Sequence, residues 1–147
     1  MFLNNRYSVF LFVLLALILG SLASANTASD IWYQNLVKSN LNPPGYIFGI
    51  VWPILYVLMS ISAFRTFEST KKLFIIQLIL NTAWSWLFFS LHVPIIALIN
   101  IFILICVNIK IFLMMFVDDR LSAGIYLPYI LWLLFASYLN AFIVFNN

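Results

Sequence analysis

Three apolar stretches of this chain carry, at helical spacing, an indole ring beside a hydrogen-bonding side chain. Positions three, four and seven apart share one helix face. Gly49, Trp52, Tyr56 and Ser60 therefore form one stripe, Asn81, Trp84, Ser85 and Phe88 a second, and Tyr129, Trp132, Ala136 and Asn140 a third. The chemistry open to such groups is recognition: ring faces stack on a flat apolar ligand while amides and hydroxyls fix its edge. A single asparagine, Asn81 or Asn140, is better explained by a helix-to-helix hydrogen bond. The three stripes together point to a shared pocket. Trp86 lies about 200° from Trp84 on the helical wheel, so one of the two must face lipid or another helix.

Other chemistries lack their residues. Asp30, Glu68, Asp118 and Asp119 all fall in or beside loops, which disfavours proton-driven transport, where an intramembrane acid is expected. His92 is the only histidine, so no metal site with several histidine ligands can form. Its place at the end of a span suits a structural role better than haem ligation. Cys106 has no partner for an internal disulfide.

The elements that must position the stripes follow from composition. Hydrophobic residues make up 65% of the chain and charged residues 7%, too little polar surface to cover a water-soluble globule. Windows of about 20 residues give five spans, near 7–25, 46–64, 73–91, 94–117 and 121–145. The predicted class is all-α, an integral membrane bundle of five transmembrane helices in one domain over 1–147. A barrel would need alternating segments of about ten residues instead. Short connections predict that sequential spans pack as antiparallel neighbours. Pro53 and Pro128 should kink or locally unwind their helices, and Pro94 should open the fourth span. The longest connection, 26–45, carries Asp30, Trp32, Tyr33, Asn35 and Lys38 and ends in Asn42-Pro43-Pro44-Gly45; its aromatics mark it as a lid over one end of the bundle.

Charge placement predicts orientation. With five spans, Arg6, Arg65, Lys71, Lys72, Lys110 and Arg120 collect on one side and only Lys38 on the other. The N-terminus is expected in the cytoplasm and the C-terminus outside, with Lys110 snorkelling to the headgroups. Basic residues dispersed over short loops exclude a nucleic-acid surface. Arg6 ahead of an apolar run ending in Ala23-Ser24-Ala25 also fits a cleaved signal peptide, whose removal would leave four spans with both termini on one side.

The run Trp32-Tyr33, Asn42-Pro43-Pro44-Gly45-Tyr46-Ile47-Phe48-Gly49, Val51-Trp52-Pro53 and Leu55-Tyr56 resembles the signature of the TspO/MBR family, the tryptophan-rich sensory and peripheral benzodiazepine receptor proteins. Gln77-Leu78, Leu80-Asn81 and Trp84-Ser85-Trp86-Leu87-Phe88-Phe89 resemble that family's third helix. Leu127-Pro128-Tyr129, Trp132, Phe135-Ala136 and Tyr138-Leu139-Asn140 resemble its fifth.

The resemblance implies a five-helix membrane protein, often a homodimer, whose pocket beneath the first loop binds porphyrins, haem and benzodiazepine-type ligands. Tyr33, Trp52, Asn81, Trp132 and Ala136 match its pocket positions. A macrocycle would stack on Trp52 and Trp132, with Asn81 and Tyr33 at its edge and Lys38 pairing with a propionate. The tetrapyrrole is then a ligand, with no obligatory cofactor, and the expected role is sensor, carrier or scavenger. For some bacterial members the resemblance also implies light-dependent protoporphyrin breakdown, with Trp52 and Trp132 the catalytic candidates here. A structural or partner-regulating membrane protein is the third reading. The expected location is a bacterial inner membrane, the alternative a mitochondrial outer membrane. The chain departs from the family at Leu41 and Asn100, where tryptophan and aspartate are common. No Lys or Arg follows Tyr138, so the sterol-recognition pattern is incomplete.

Overall fold

The computed structural model describes residues 5–147, and among the described residues every regular element is helical. In chain order these are α1 (Ser8–Ser24), α2 (Ile31–Asn35), α3 (Gly45–Arg65), α4 (Phe67–Ser85), a π-helical turn (Trp86–Ser90), α5 (Pro94–Asp118) and α6 (Arg120–Asn146). Helices α3, α4 with its π turn, α5 and α6 are long and apolar enough to cross a bilayer, and α1, with 17 residues, is a shorter apolar helix at the lower limit of a span. The chain is thus an integral membrane bundle of about five helices, because hydrocarbon offers no partner to a backbone group left unpaired.

Local chemistry sets the helix ends. Pro43 and Pro44 cannot donate backbone hydrogen bonds, so helix begins at Gly45. Pro94 occupies the first turn of α5, where a missing N–H costs nothing. Asp119 caps α6 by accepting from the Leu121 N–H at 3.1 Å. The internal prolines follow a pattern of their own. Pro53 and Pro128 each stand four residues after a glycine, Gly49 and Gly124. The carbonyl that each proline ring crowds and leaves without a donor thus belongs to the least encumbered residue available.

Helix α1 packs on α4, α4 on α5, α5 on α6 and α6 on α3. The expectation that sequential spans are neighbours thus holds for α4 with α5 and for α5 with α6, and fails between α3 and α4. Thr66 alone separates α3 from α4, yet the two make few contacts with each other. The bulky stripes explain it: Trp52 and Trp84 face across the gap with ring centroids 6.5 Å apart, which holds the backbones apart. At the Thr66 end the bundle is tight. Met59, Ala63, Thr70, Ile111, Met115, Ala123 and Tyr126 are buried there. Arg65 ties the end of α3 to the start of α6, reaching Asp119 at 2.7 Å and Ser122 Oγ at 3.0 Å. The Ser122 hydroxyl, donating at 2.7 Å, and the Arg65 guanidinium hold the Asp119 carboxyl below its ordinary range against some desolvation. The Arg6 guanidinium lies over the Phe64 ring, 5.6 Å from its centroid, which puts it at this same end.

Candidate ligand-binding cavity

Where α3 and α4 diverge, the bundle holds a cavity of about 730 Å³, within the range of small-molecule sites. Helix α3 supplies Phe48, Gly49, Trp52 and Tyr56, and α4 supplies Asn81, Trp84 and Ser85. The side toward α1 is lined by Leu17, Gly20, Ser21 and Ser24. Tyr33, Gln34 and Lys38 form the roof. A Cβ added at Gly45 or Gly49 would meet nothing within 4 Å, so the missing side chains are part of the hollow.

The aromatic wall is continuous. Trp52 meets Tyr56 edge-on at 5.9 Å, and Trp84 stacks on Phe88 at 5.6 Å with planes 22° apart. Such offsets satisfy the ring quadrupoles. Trp84 is held by its indole N–H, which donates to Asn140 Oδ1 at 3.1 Å; Asn140 in turn donates to the Pro94 carbonyl at 2.9 Å. Trp86 points the other way, 41% exposed and donating to the Leu19 carbonyl at 3.1 Å, so Trp84 is the inward member of that pair. The π turn adds a residue to the helical repeat and sets Phe89 in the cavity wall beside buried Phe88.

Tyr56 and Asn81 meet on the wall, the phenol donating to Asn81 Oδ1 at 2.9 Å. Asn81 Nδ2 donates to the Tyr129 hydroxyl at 2.6 Å, and Tyr129 donates to Gln77 Oε1 at 2.8 Å. Both asparagines, Asn81 and Asn140, thus make helix-to-helix hydrogen bonds, and Asn81 also lines the cavity.

The roof is fastened on both flanks. Asp30 caps α2 through the Trp32 N–H at 3.0 Å and bonds His92 Nε2 at 2.8 Å with its other oxygen. Trp32 stacks on that imidazole, centroids 4.2 Å apart and planes 16° apart. His92 has φ of 54°, a left-handed corner that an L-residue adopts at a cost. Beyond the cavity, the Val37 peptide exchanges two hydrogen bonds with the Asn147 amide, at 2.8 and 3.2 Å, and Ser39 meets the Tyr138 hydroxyl at 3.0 Å. Between these fastenings the Lys38 ammonium donates to the Tyr33 carbonyl and lies over the Tyr33 ring, 4.4 Å from its centroid. Desolvation lowers the Lys38 pKa, and burial raises that of the Tyr33 phenol against an opposing Asn42 side chain.

Of the residues singled out in the sequence, Tyr33, Lys38, Trp52, Asn81 and Trp84 come together on the cavity lining. Trp132 and Ala136 do not. The Trp132 ring stands behind the wall, 6.4 Å from Trp52 and nearly perpendicular to it, with Phe48 at 5.8 Å; Ala136 is buried elsewhere on α6. The expected stacking of a macrocycle on both Trp52 and Trp132 therefore meets only Trp52 in this arrangement, since Trp132 is packed behind it rather than on the cavity lining. Sequence reasoning passed over Gly20, Ser21, Ser24, Gln34 and Phe89. Helix α1 is apolar over most of its length, yet Gly20, Ser21 and Ser24 stand three and four residues apart on one face with Leu17, a small and polar stripe that signals its inward side; Gln34 and Phe89 stood in segments already read as lid and aromatic stripe. Among the described residues, no cluster of three or more His, Cys, Asp or Glu side chains is available to hold a metal ion.

A roofed aromatic hollow between α1, α3 and α4 of a bundle of apolar helices defines the class: a small polytopic membrane protein with an aromatic cavity. The chain belongs to the TspO/MBR family, whose model matches residues 9–145. It is 34% identical over 144 residues to the "Tryptophan-rich protein TspO" of Archaeoglobus fulgidus, covering 92% of this chain and 94% of the relative. The protein of the same name from Chlorobaculum tepidum is 35% identical over 119 residues, 74% of this chain and 75% of its own. The human "Translocator protein" is 29% identical over 119 residues, 74% and 70% of the two chains.

Proposed function

We propose that the chain binds a porphyrin- or haem-type tetrapyrrole in this cavity and acts as a sensor, carrier or scavenger of it. The observation that carries the reading is a hollow of about 730 Å³ walled by Trp52 and Trp84, edged by Asn81 and roofed by Tyr33 and Lys38. A flat macrocycle lies against the Trp52 face, and the Lys38 N–H not spent on the α2 carbonyls pairs with a carboxylate at the roof. The basic end, with Arg6, Arg65, Lys71, Lys72 and Arg120, faces the cytoplasm by the charge rule, so the lid lies on the far side of a bacterial inner membrane. Titrating the purified protein with protoporphyrin while following tryptophan emission tests the reading. Saturable quenching, weakened roughly tenfold by Trp52→Ala, is the expected result; an affinity indifferent to Trp52 removes the cavity as the site.

The second reading is light- and oxygen-dependent porphyrin breakdown. It is favoured by the succession of indoles Trp84, Trp52 and Trp132, each within 6.5 Å of the next, which sets oxidisable rings beside a bound pigment. Illuminated protein that bleaches porphyrin no faster than its Trp52→Phe variant excludes it.

A further inference from the structure

The hydrogen bonds below the cavity run in one direction, and the residue that fixes the direction is a methionine. Gln77 is fully buried, and its Nε2 faces the Met59 sulfur at 3.6 Å, also fully buried. A thioether can accept but never donate. The Gln77 amide must therefore turn its NH₂ toward Met59 and its oxygen toward Tyr129. Tyr129 then has to donate to Gln77 Oε1, at 2.8 Å, which spends its only proton. Tyr129 can consequently only accept from Asn81, whose Nδ2 lies 2.6 Å away, and Asn81 so presents its oxygen to Tyr56. Tyr56 donates to that oxygen at 2.9 Å, and its own proton is spent in turn.

We propose that Met59, acting through Gln77, Tyr129 and Asn81, sets the polarity of the cavity floor, so that Tyr56 offers a guest a lone pair and no proton. The proposal rests on the cavity being the ligand site and deepens that reading. The guest group that complements Tyr56 carries its own donor: a pyrrole or amide N–H, a hydroxyl or a protonated carboxyl. An ether, ester or ketone finds no donor in Tyr56. Met59 and Gln77 are positioning residues, since neither is part of the cavity lining.

The test uses two flat tricyclic probes that differ in one atom, carbazole with an N–H and dibenzofuran with an ether oxygen, titrated into the full chain in lipid nanodiscs by tryptophan quenching. Tyr56→Phe supplies the reference ratio of affinities in the absence of the hydroxyl. Wild type should favour carbazole over that reference by roughly three- to tenfold, the net strength of one neutral hydrogen bond. Met59→Leu, close in volume, frees the Gln77 amide to invert. The whole chain can then reverse, Tyr56 can donate, and the preference should fall to within about twofold of the reference. Tyr129→Phe cuts the same relay one link further on and should do likewise, which covers a Met59 variant that folds poorly. A wild-type ratio equal to the Tyr56→Phe ratio overturns the proposal while leaving the cavity reading intact. So does a preference that survives in both Met59→Leu and Tyr129→Phe. Absence of saturable quenching by either probe where protoporphyrin still quenches overturns this inference alone; absence of quenching by protoporphyrin as well removes the cavity reading, and this inference with it.

Discussion

The two ends of the bundle solve opposite problems. Around Thr66 and Asp119, five helix termini converge on a core of Met59, Ala63, Ile111, Met115 and Tyr126, all at most 1% exposed, and a buttress of Arg65, Asp119 and Ser122 closes the end. Around Trp52, α1, α3 and α4 leave a hollow beneath the segment that carries α2. The difference lies less in hydrophobicity than in shape. The closed end interleaves methionine, alanine and isoleucine, which fill gaps. The open end lines its hollow with the rigid indoles Trp52 and Trp84 and with Gly20, Gly45 and Gly49, which bring no side chain to fill it. A membrane core gains nothing from lipid expulsion comparable to the hydrophobic effect in water, so packing decides which end stays closed.

The contrast can be broken most forcefully at the closed end. Met115→Ala should lower stability by about 2–5 kcal/mol, as large-to-small changes in filled cores do, read as an earlier midpoint in a denaturant titration of the solubilised protein. At the open end Gly49→Phe should do the reverse. A Cβ added at Gly49 meets nothing within 4 Å, and removing a helical glycine gains a few tenths of a kcal/mol, about 0.5 at most, against the crowding of the carbonyl beside Pro53, so the midpoint should hold while porphyrin titration goes flat. If Gly49→Phe unfolds the chain, the hollow is not the vacant space described. A smaller effect is expected at the lid. Asp30→Asn and His92→Phe each loosen the fastening of α2, and hydrogen exchange of residues 31–38 should quicken several-fold with little change in global stability.

Two expectations concern pH and are the mildest. Because desolvation places the Lys38 pKa below the ordinary 10.5, its charge disappears earlier than a free lysine's as pH rises. Affinity for a porphyrin dicarboxylate should weaken on that alkaline approach, and Lys38→Gln should flatten the profile. Asp119 has the opposite sign. Its folded pKa lies below the unfolded value, so its contribution is present above the ordinary carboxylate range and is lost as pH falls through the lowered value. Asp119→Asn should abolish that acid-side dependence in a pH series of unfolding midpoints.

Much of this was legible in the residues. Twenty-residue apolar runs can only be spans, and Pro94 and the Pro43-Pro44 pair mark their starts. Stripe periodicity picked out Trp52, Asn81 and Trp84, since a polar or bulky group on an apolar helix has a direction. It could not place Trp132: period alone says which face a ring occupies, and whether that face meets a void or another ring depends on how far α3 and α6 stand apart. Nor could it show that α3 and α4 splay. A one-residue connection suggests intimacy, and only the volumes of Trp52, Tyr56 and Trp84 taken together oppose it. The short helix α2 was signalled by Asp30 before Ile31-Trp32-Tyr33, but five residues give periodicity nothing to count. The partnership of Asp30 with His92 spans 62 positions, beyond any local pattern.

Along the margin of the hollow, Ser21, Gly49 and Pro53 are exposed on the bundle surface. There the protein does not finish its own wall; the surrounding medium does, acyl chains in a bilayer and surfactant tails in a micelle. A dissociation constant measured for the proposed guest would therefore be a joint property of polypeptide and host. It should shift with the length and order of the lipids in which it is measured.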